Sequence, residues 1–148
     1  MSSIEGIKII QLKKVANERG HLLEIQRNDD PLYPGFGQAY ITCNLPGVIK
    51  AWYRHRKQFD QIALIKGGLT LVLFDSRDDS PTYQNIVEIA ISDLVPVLVQ
   101  IPPGIWHGFK ALGSEPAYLL HLNSAAFNFE QTDEDRLPSS TASIPYEW

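Results

Sequence analysis

The chain has one cysteine, Cys43, among its 148 residues. An internal disulfide is therefore excluded, and a reducing compartment is the natural setting. No run of Lys or Arg exceeds two residues, and the formal net charge is −4. A chain so poor in clustered positive charge is unsuited to nucleic acid. No apolar stretch approaches the roughly 20 residues of a membrane helix. The opening MSSIEGIKII has no basic flank followed by a long apolar run, so no signal peptide is expected and the cytoplasm is the expected location. Helical periodicity is missing as well: no stretch of a dozen residues repeats its apolar positions at i, i+3, i+4 and i+7.

What is present is a series of short β-type runs. IKIIQL (7–12), HLLEIQ (21–26), GQAYIT (37–42), VIKAWYRH (48–55), QIALIK (61–66), LTLVLFD (69–75), NIVEIAI (85–91), PVLVQI (96–101), GIWHGFKAL (104–112) and AYLLHL (117–122) are rich in Ile, Val, Leu, Tyr and Phe. Apolar residues make up 44% of the chain and charged residues 20%, the balance of a globular protein with a real core. Strands at this spacing predict an all-β, antiparallel sandwich or barrel. Gly67-Gly68 reads as a tight hairpin turn. DSRDDS (75–80) reads as a solvated loop, because the ligand spacing of a calcium loop is absent. EQTDED (130–135) reads as a solvated face, and the polar, Pro-punctuated tail 125–148 as loops lying over the barrel.

Strand alternation predicts Ile49, Ala51, Tyr53 and His55 on one face, with Val48, Lys50, Trp52 and Arg54 on the other. The first set carries no fixed charge and is the expected interior. Ile105, His107, Phe109 and Ala111 share a face, and His121 shares one with Leu119 and Asn123. A lone inward histidine is ordinarily a core group satisfied by one carbonyl. Several converging on one mouth indicate a site. His21, in a charged stretch, is expected at the surface.

These residues carry a resemblance. Gly47, Tyr53, His55, Asp60 and Gly67 have the spacing of the first cupin motif, with Tyr in place of its leading His and Asp in place of its Glu. Pro102, Pro103, Gly104 and His107 follow the second motif, whose terminal Asn is replaced by Ala111. Within the cupins the chain resembles the dTDP-4-dehydrorhamnose 3,5-epimerases over almost its whole length. ERGHLLE (18–24), GVIKAW (47–52), FDSRDDSPTY (74–83), IPPGIWHGF (101–109) and SIPYEW (143–148) carry the likeness. The resemblance implies a single cupin jelly-roll domain over 1–148, a homodimer with an N-terminal strand available for swapping, no metal, and a nucleotide-linked sugar bound at the barrel mouth. It also implies substrate contacts from Arg19, Glu24, Gln38 and Lys50, with His107 lining the sugar pocket.

The family's chemical residues do not carry over. Tyr53 stands in the slot of the family's catalytic histidine and Asp60 in that of its lysine. Thr141 stands where the family has the orienting aspartate, and Phe127 or Phe129 where it has a tyrosine. A free phenol, with a pKa of about 10, is deprotonated in only about one molecule in a thousand at pH 7. A carboxylate in the lysine slot would suppress ionisation further and repel an enolate. The ordinary 3,5-epimerase mechanism is thus not expected.

Three readings remain. In the first, the protein is an epimerase or isomerase for a nucleotide-linked 4-keto-6-deoxy sugar. His55 is its base, oriented by Gln58 or Asp60; His107 donates to the ketone oxygen, Tyr53 supplies a proton from the other face, and His121 adds a further polar contact. In the second, His55, Asp60 and His107 hold a divalent transition metal, with Tyr53 or His121 as a fourth ligand. In the third, the protein is a binding module that retains the nucleotide-sugar pocket without turnover.

Overall fold

Among residues 3–148, which the computed structural model describes, every regular element is a strand. The twelve are β1 (Lys8–Gln11), β2 (Lys14–Asn17), β3 (Gly20–Leu23), β4 (Gln38–Asn44), β5 (Ile49–His55), β6 (Asp60–Lys66), β7 (Gly68–Asp75), β8 (Ile86–Ser92), β9 (Val97–Ile101), β10 (Ile105–Leu112), β11 (Ala117–Asn123) and β12 (Glu134–Arg136). One five-stranded sheet runs β1-β9-β6-β11-β4, the other β12-β5-β10-β7-β8, and β2 and β3 form a separate hairpin. All pairings are antiparallel. The two large sheets pack as a jelly-roll sandwich rather than joining into a closed barrel.

Between the sheets lies the main core. Leu69, Leu71 and Leu73 of β7 meet Ile62 and Leu64 of β6, Leu119 of β11 and Ile105 and Phe109 of β10. A second cluster sits on the outer face of the second sheet. There Trp52, Val72, Phe74 and Trp106 are roofed by Leu137, Ile144, Tyr146 and Trp148 from the tail. A third, smaller one joins Leu12, Ala63 and Leu98 under Ile10, Leu23 and Ile25 on the outside of the first sheet.

Three expectations are corrected here. Gly67-Gly68 is not a hairpin turn, because β6 and β7 belong to different sheets. Gly67, at φ +98°, is where the chain crosses between them, and a side chain there would press on the Ala117 backbone at 3.1 Å. The alternation of β5 breaks as well. His107 pairs with Tyr53 but Phe109 pairs with Lys50, so β5 carries one extra residue, a bulge. The bulge turns Lys50 to the interior beside Tyr53 and His55, and leaves Ala51 packed with the outer cluster around Trp52.

The third correction concerns polar stretches. The tail contains β12, hydrogen-bonded to β5 with Glu134 opposite His55 and Arg136 opposite Tyr53. EQTDED is therefore not merely a solvated face: Asp135 is gripped by Arg54 and Arg56, with shortest contacts of 2.7 and 2.6 Å. In DSRDDS, Asp75 is fully buried and bound by Arg77, Ser80 and Thr82, so the loop is organised around its own ion pair.

Candidate functional site

Towards one end of the sandwich, the inward positions change from apolar to polar. On β11 the inward series reads Ala117, Leu119, His121, Asn123; on β6 it reads Leu64, Ile62, Asp60. Together with β4, β5, β10 and β12 they enclose a cavity of about 300 Å³. Its wall includes Lys50, Tyr53, His55, Asp60, His107 and His121, with Tyr40, Thr42, Glu134 and Arg136 around them.

Asp60 is the hub. It is buried, and its carboxylate lies 3.2 Å from His107 Nε2, 3.9 Å from His55 Nε2 and 3.9 Å from His121 Nδ1, while Asn123 donates to it at 3.2 Å. Burial by itself would raise the Asp60 pKa. The imidazoles of His107 and His121 outweigh it and hold the carboxyl well below the usual carboxylate range.

The two ring nitrogens of His107 both face acceptors. Nδ1 is 3.1 Å from the Ile105 carbonyl and must donate to it; Nε2 then confronts Asp60 Oδ2 at 3.2 Å. Two lone-pair bearers at that separation need a cation between them, either a proton or a metal ion. A proton completes the contact without further ligands. A metal ion would also recruit His55, whose ligand atom lies within 4.8 Å of the other two. His55, Asp60 and His107 are thus the residues able to hold a metal.

His55 differs in environment. Its pKa is pushed below the ordinary histidine value by burial, against the opposing pull of Asp60. A neutral imidazole at the cavity wall is suited to accept a proton. Its Nδ1 touches the Gln58 side-chain amide at 3.0 Å. As placed, the Gln58 amide nitrogen donates to Nδ1; turning that amide over sets its oxygen against Nδ1, holds the ring proton there and leaves Nε2 as the basic nitrogen towards the cavity. His121 is fixed by Thr42 at 3.0 Å and by Tyr40, stacked on it at 4.5 Å.

Of the residues singled out in the sequence, Tyr53, His55, Asp60, His107, Lys50 and His121 meet in this cavity. Gln58 reaches His55 from an adjoining recess. The rest stand apart. Gln38 accepts the Phe127 amide at 2.7 Å and so holds a loop. Arg19 is exposed at the β2–β3 turn, and Glu24 lies among Leu12, Pro31 and Leu32 on the outside of the first sheet. Thr141 sits with Ile49 in a recess of the tail, so it does not orient a cavity histidine. Phe127 and Phe129 pack on each other, partly or fully exposed, outside the cavity wall.

Tyr40, Thr42, Glu134 and Arg136 are cavity residues that sequence reasoning missed. Strand parity puts the first and third residues of Glu134-Asp135-Arg136 on one face, but nothing in this charged stretch marks it as a strand.

A model of the dTDP-4-dehydrorhamnose 3,5-epimerase family matches residues 1–148. The chain is 35% identical over 150 residues to the probable low-salt glycan biosynthesis epimerase Agl13 of Haloferax volcanii, covering 100% of this chain and 96% of that one. It is 35% identical over 145 residues to the spore coat polysaccharide biosynthesis protein SpsL of Bacillus subtilis, covering 98% and 96%. A crystal structure of a dTDP sugar isomerase from Desulfovibrio desulfuricans superposes with a TM-score of 0.93 at 31% identity, covering 98% of this chain and 92% of that one.

Proposed function

The chain belongs to the dTDP-4-dehydrorhamnose 3,5-epimerase family, and from that premise we propose that it epimerises or isomerises a nucleotide-linked 4-keto-6-deoxy sugar with a rearranged set of acid and base groups. The observation that carries this reading is the division of labour among the histidines. Burial pushes His55 towards its neutral form, whereas His107 is set between two acceptors, the Ile105 carbonyl and the Asp60 carboxylate. One is ready to take a proton and the other to give a hydrogen bond. One group placed to accept a proton beside another placed to donate a hydrogen bond is the pairing of a base with an acid.

In the reaction, with the Gln58 amide turned so that its oxygen holds the ring proton on Nδ1, His55 Nε2 removes the proton from a carbon next to the ketone. The C–H electrons move into the ring and the ketone oxygen becomes an enolate. His107 donates to that oxygen, and Asp60 balances its charge. Tyr53, on the same strand as His55, protonates the carbon from the other face as the enolate returns to the ketone; solvent then takes the proton from His55 and returns one to Tyr53. His121 and Lys50 complete the cavity wall around the substrate. No metal enters this scheme.

A second reading keeps the metal. It is favoured by the single contact between His107 Nε2 and Asp60 Oδ2, which an ion would also explain. Elemental analysis of the purified protein separates the two: stoichiometric zinc, iron or manganese would support the ion.

We further read the molecule as one domain and as a homodimer in the cytoplasm. Ile41, Ile65 and Tyr118, on neighbouring strands of the first sheet, expose apolar surface together. Pairing of two such faces would cover it, and a partner's hairpin could bring Arg19 and Glu24 to the cavity. Light scattering during gel filtration tests the dimer. Cys43, free and exposed, suits a reducing compartment.

The deciding experiment is proton NMR in D2O with nucleotide-linked 4-keto-6-deoxy sugars. Deuterium entering at C3 or C5, and lost on His55→Ala, supports the enzyme. Saturable binding without exchange would leave a binding module instead.

A further inference from the structure

We propose that Arg136, oriented by Glu134, is the guanidinium fork that grips the diphosphate of the substrate. This rests on the nucleotide-sugar reading above. β12 places both side chains on the cavity side of β5, opposite Tyr53 and His55. Glu134 accepts the Arg136 Nε–H at 2.7 Å. Among the described residues, neither terminal nitrogen of Arg136 makes a hydrogen bond. Held by Nε alone, the guanidinium presents its remaining donors as a planar pair, the geometry that fits two phosphate oxygens.

Its depth in the cavity argues for phosphate rather than for the reacting atoms. Asp60 and His107 are buried at the bottom. Tyr53 comes next, its ring 6.4 Å from that of His107. Arg136 stands over the phenol, its guanidinium carbon 5.6 Å from the ring centre, and with a side chain 69% exposed it is the outermost of these groups. The ketone and the anomeric phosphates lie at opposite ends of a pyranose ring. A sugar with its ketone at His107 therefore leaves its diphosphate at the mouth, beside Arg136.

Lys50 is the second cation there, turned inward by the β5 bulge and tethered to the Cys43 carbonyl at 3.0 Å. Lysine supplies a point charge and arginine the bidentate contact, so the pair together recognises a pyrophosphate better than a single phosphate. The clamp on the far side of β12, Asp135 between Arg54 and Arg56, keeps this short strand in place.

Calorimetric titration with dTDP, dTMP and thymidine, alongside kinetics on the keto-sugar, tests the assignment. Arg136→Gln should weaken dTDP binding at least ten-fold and raise KM similarly. It should leave thymidine affinity and kcat within about two-fold, with an unchanged melting temperature because the side chain is exposed. Arg136→Lys should recover part of the loss. Glu134→Ala should reproduce part of it, with Glu134→Gln, which keeps an acceptor for Nε–H, close to wild type. Unchanged dTDP affinity in Arg136→Gln overturns the proposal. So does a fall in kcat at constant KM, which would place the guanidinium at the reacting atoms. If the wild type exchanges no sugar C–H, the epimerase reading falls, and the dTDP titration still decides the arginine.

Discussion

The two ends of the sandwich interior are built from the same strands but are opposite in character. At one end Leu64, Leu69, Leu71, Ala117 and Leu119 are packed dry. At the other, the same strand faces carry Asp60, His121 and Asn123, equally buried and linked to one another by polar contacts. The apolar end tolerates loss of shape with a graded cost in stability. At the polar end a charge depends on partners, so loss of one partner strands another. The lesson is that β11 and β6 are both scaffold and site, and that stability and chemistry divide along each strand rather than between strands.

That division can be broken in several ways. Asp60→Asn is expected to have the largest effect, with turnover falling by about 10²–10⁴ because His107 loses its charge partner and the enolate its donor; single-turnover kinetics on the soluble variant would show it. Preserved turnover would mean that the polar end is only core. Leu71→Ala should do the reverse, costing about 2–5 kcal/mol in urea unfolding while leaving kcat per folded molecule near wild type.

Titration sharpens the contrast. His55 must be neutral to act, and burial holds its pKa below the ordinary histidine value of 6.5. The rate should therefore be flat from neutral pH down to below 6.5 and fall only as His55 takes up a proton; a limb centred above 6.5 contradicts that role. Asp60 has a depressed pKa, so its share of stability is present above the unfolded value near 3.8 and lost as acid titrates the folded carboxylate. Smaller again is Tyr53→Phe, expected to keep solvent exchange at the sugar carbon but slow inversion about ten-fold, read by comparing deuterium incorporation with product formation. The smallest is Asp135→Asn, which loosens β12 and should raise KM only a few-fold.

Much of this site was legible because β-strands have period two. His55, His107 and His121 could be set facing inward from parity alone, and Asp60 from motif spacing. Parity failed where the backbone departs from regularity. Parity puts Lys50 outward, because nothing in GVIKAWYRH marks the bulge that shifts it. Gly67-Gly68 has the composition of a tight turn, yet the same backbone freedom serves a crossing between sheets. β12 was illegible for another reason. Its three residues are all charged, and short charged segments read as solvent-facing unless the pairing partner is known. Arg54 and Arg56, the partners that fix Asp135, lie some eighty positions earlier.

The late arrival of β12 has a consequence for synthesis. β5, β6, β10 and β11 can assemble both the apolar core and the histidine cluster before residue 130 has left the ribosome. Glu134 and Arg136 reach the cavity only afterwards, as an edge strand laid on a finished sheet. A nascent chain would thus acquire its proton-transfer groups first and its anion grip last. A chain cut short before β12 would lose that grip together with Leu137, Ile144, Tyr146 and Trp148, the roof over Trp52 and Trp106, so the last segment carries both affinity and the outer cluster.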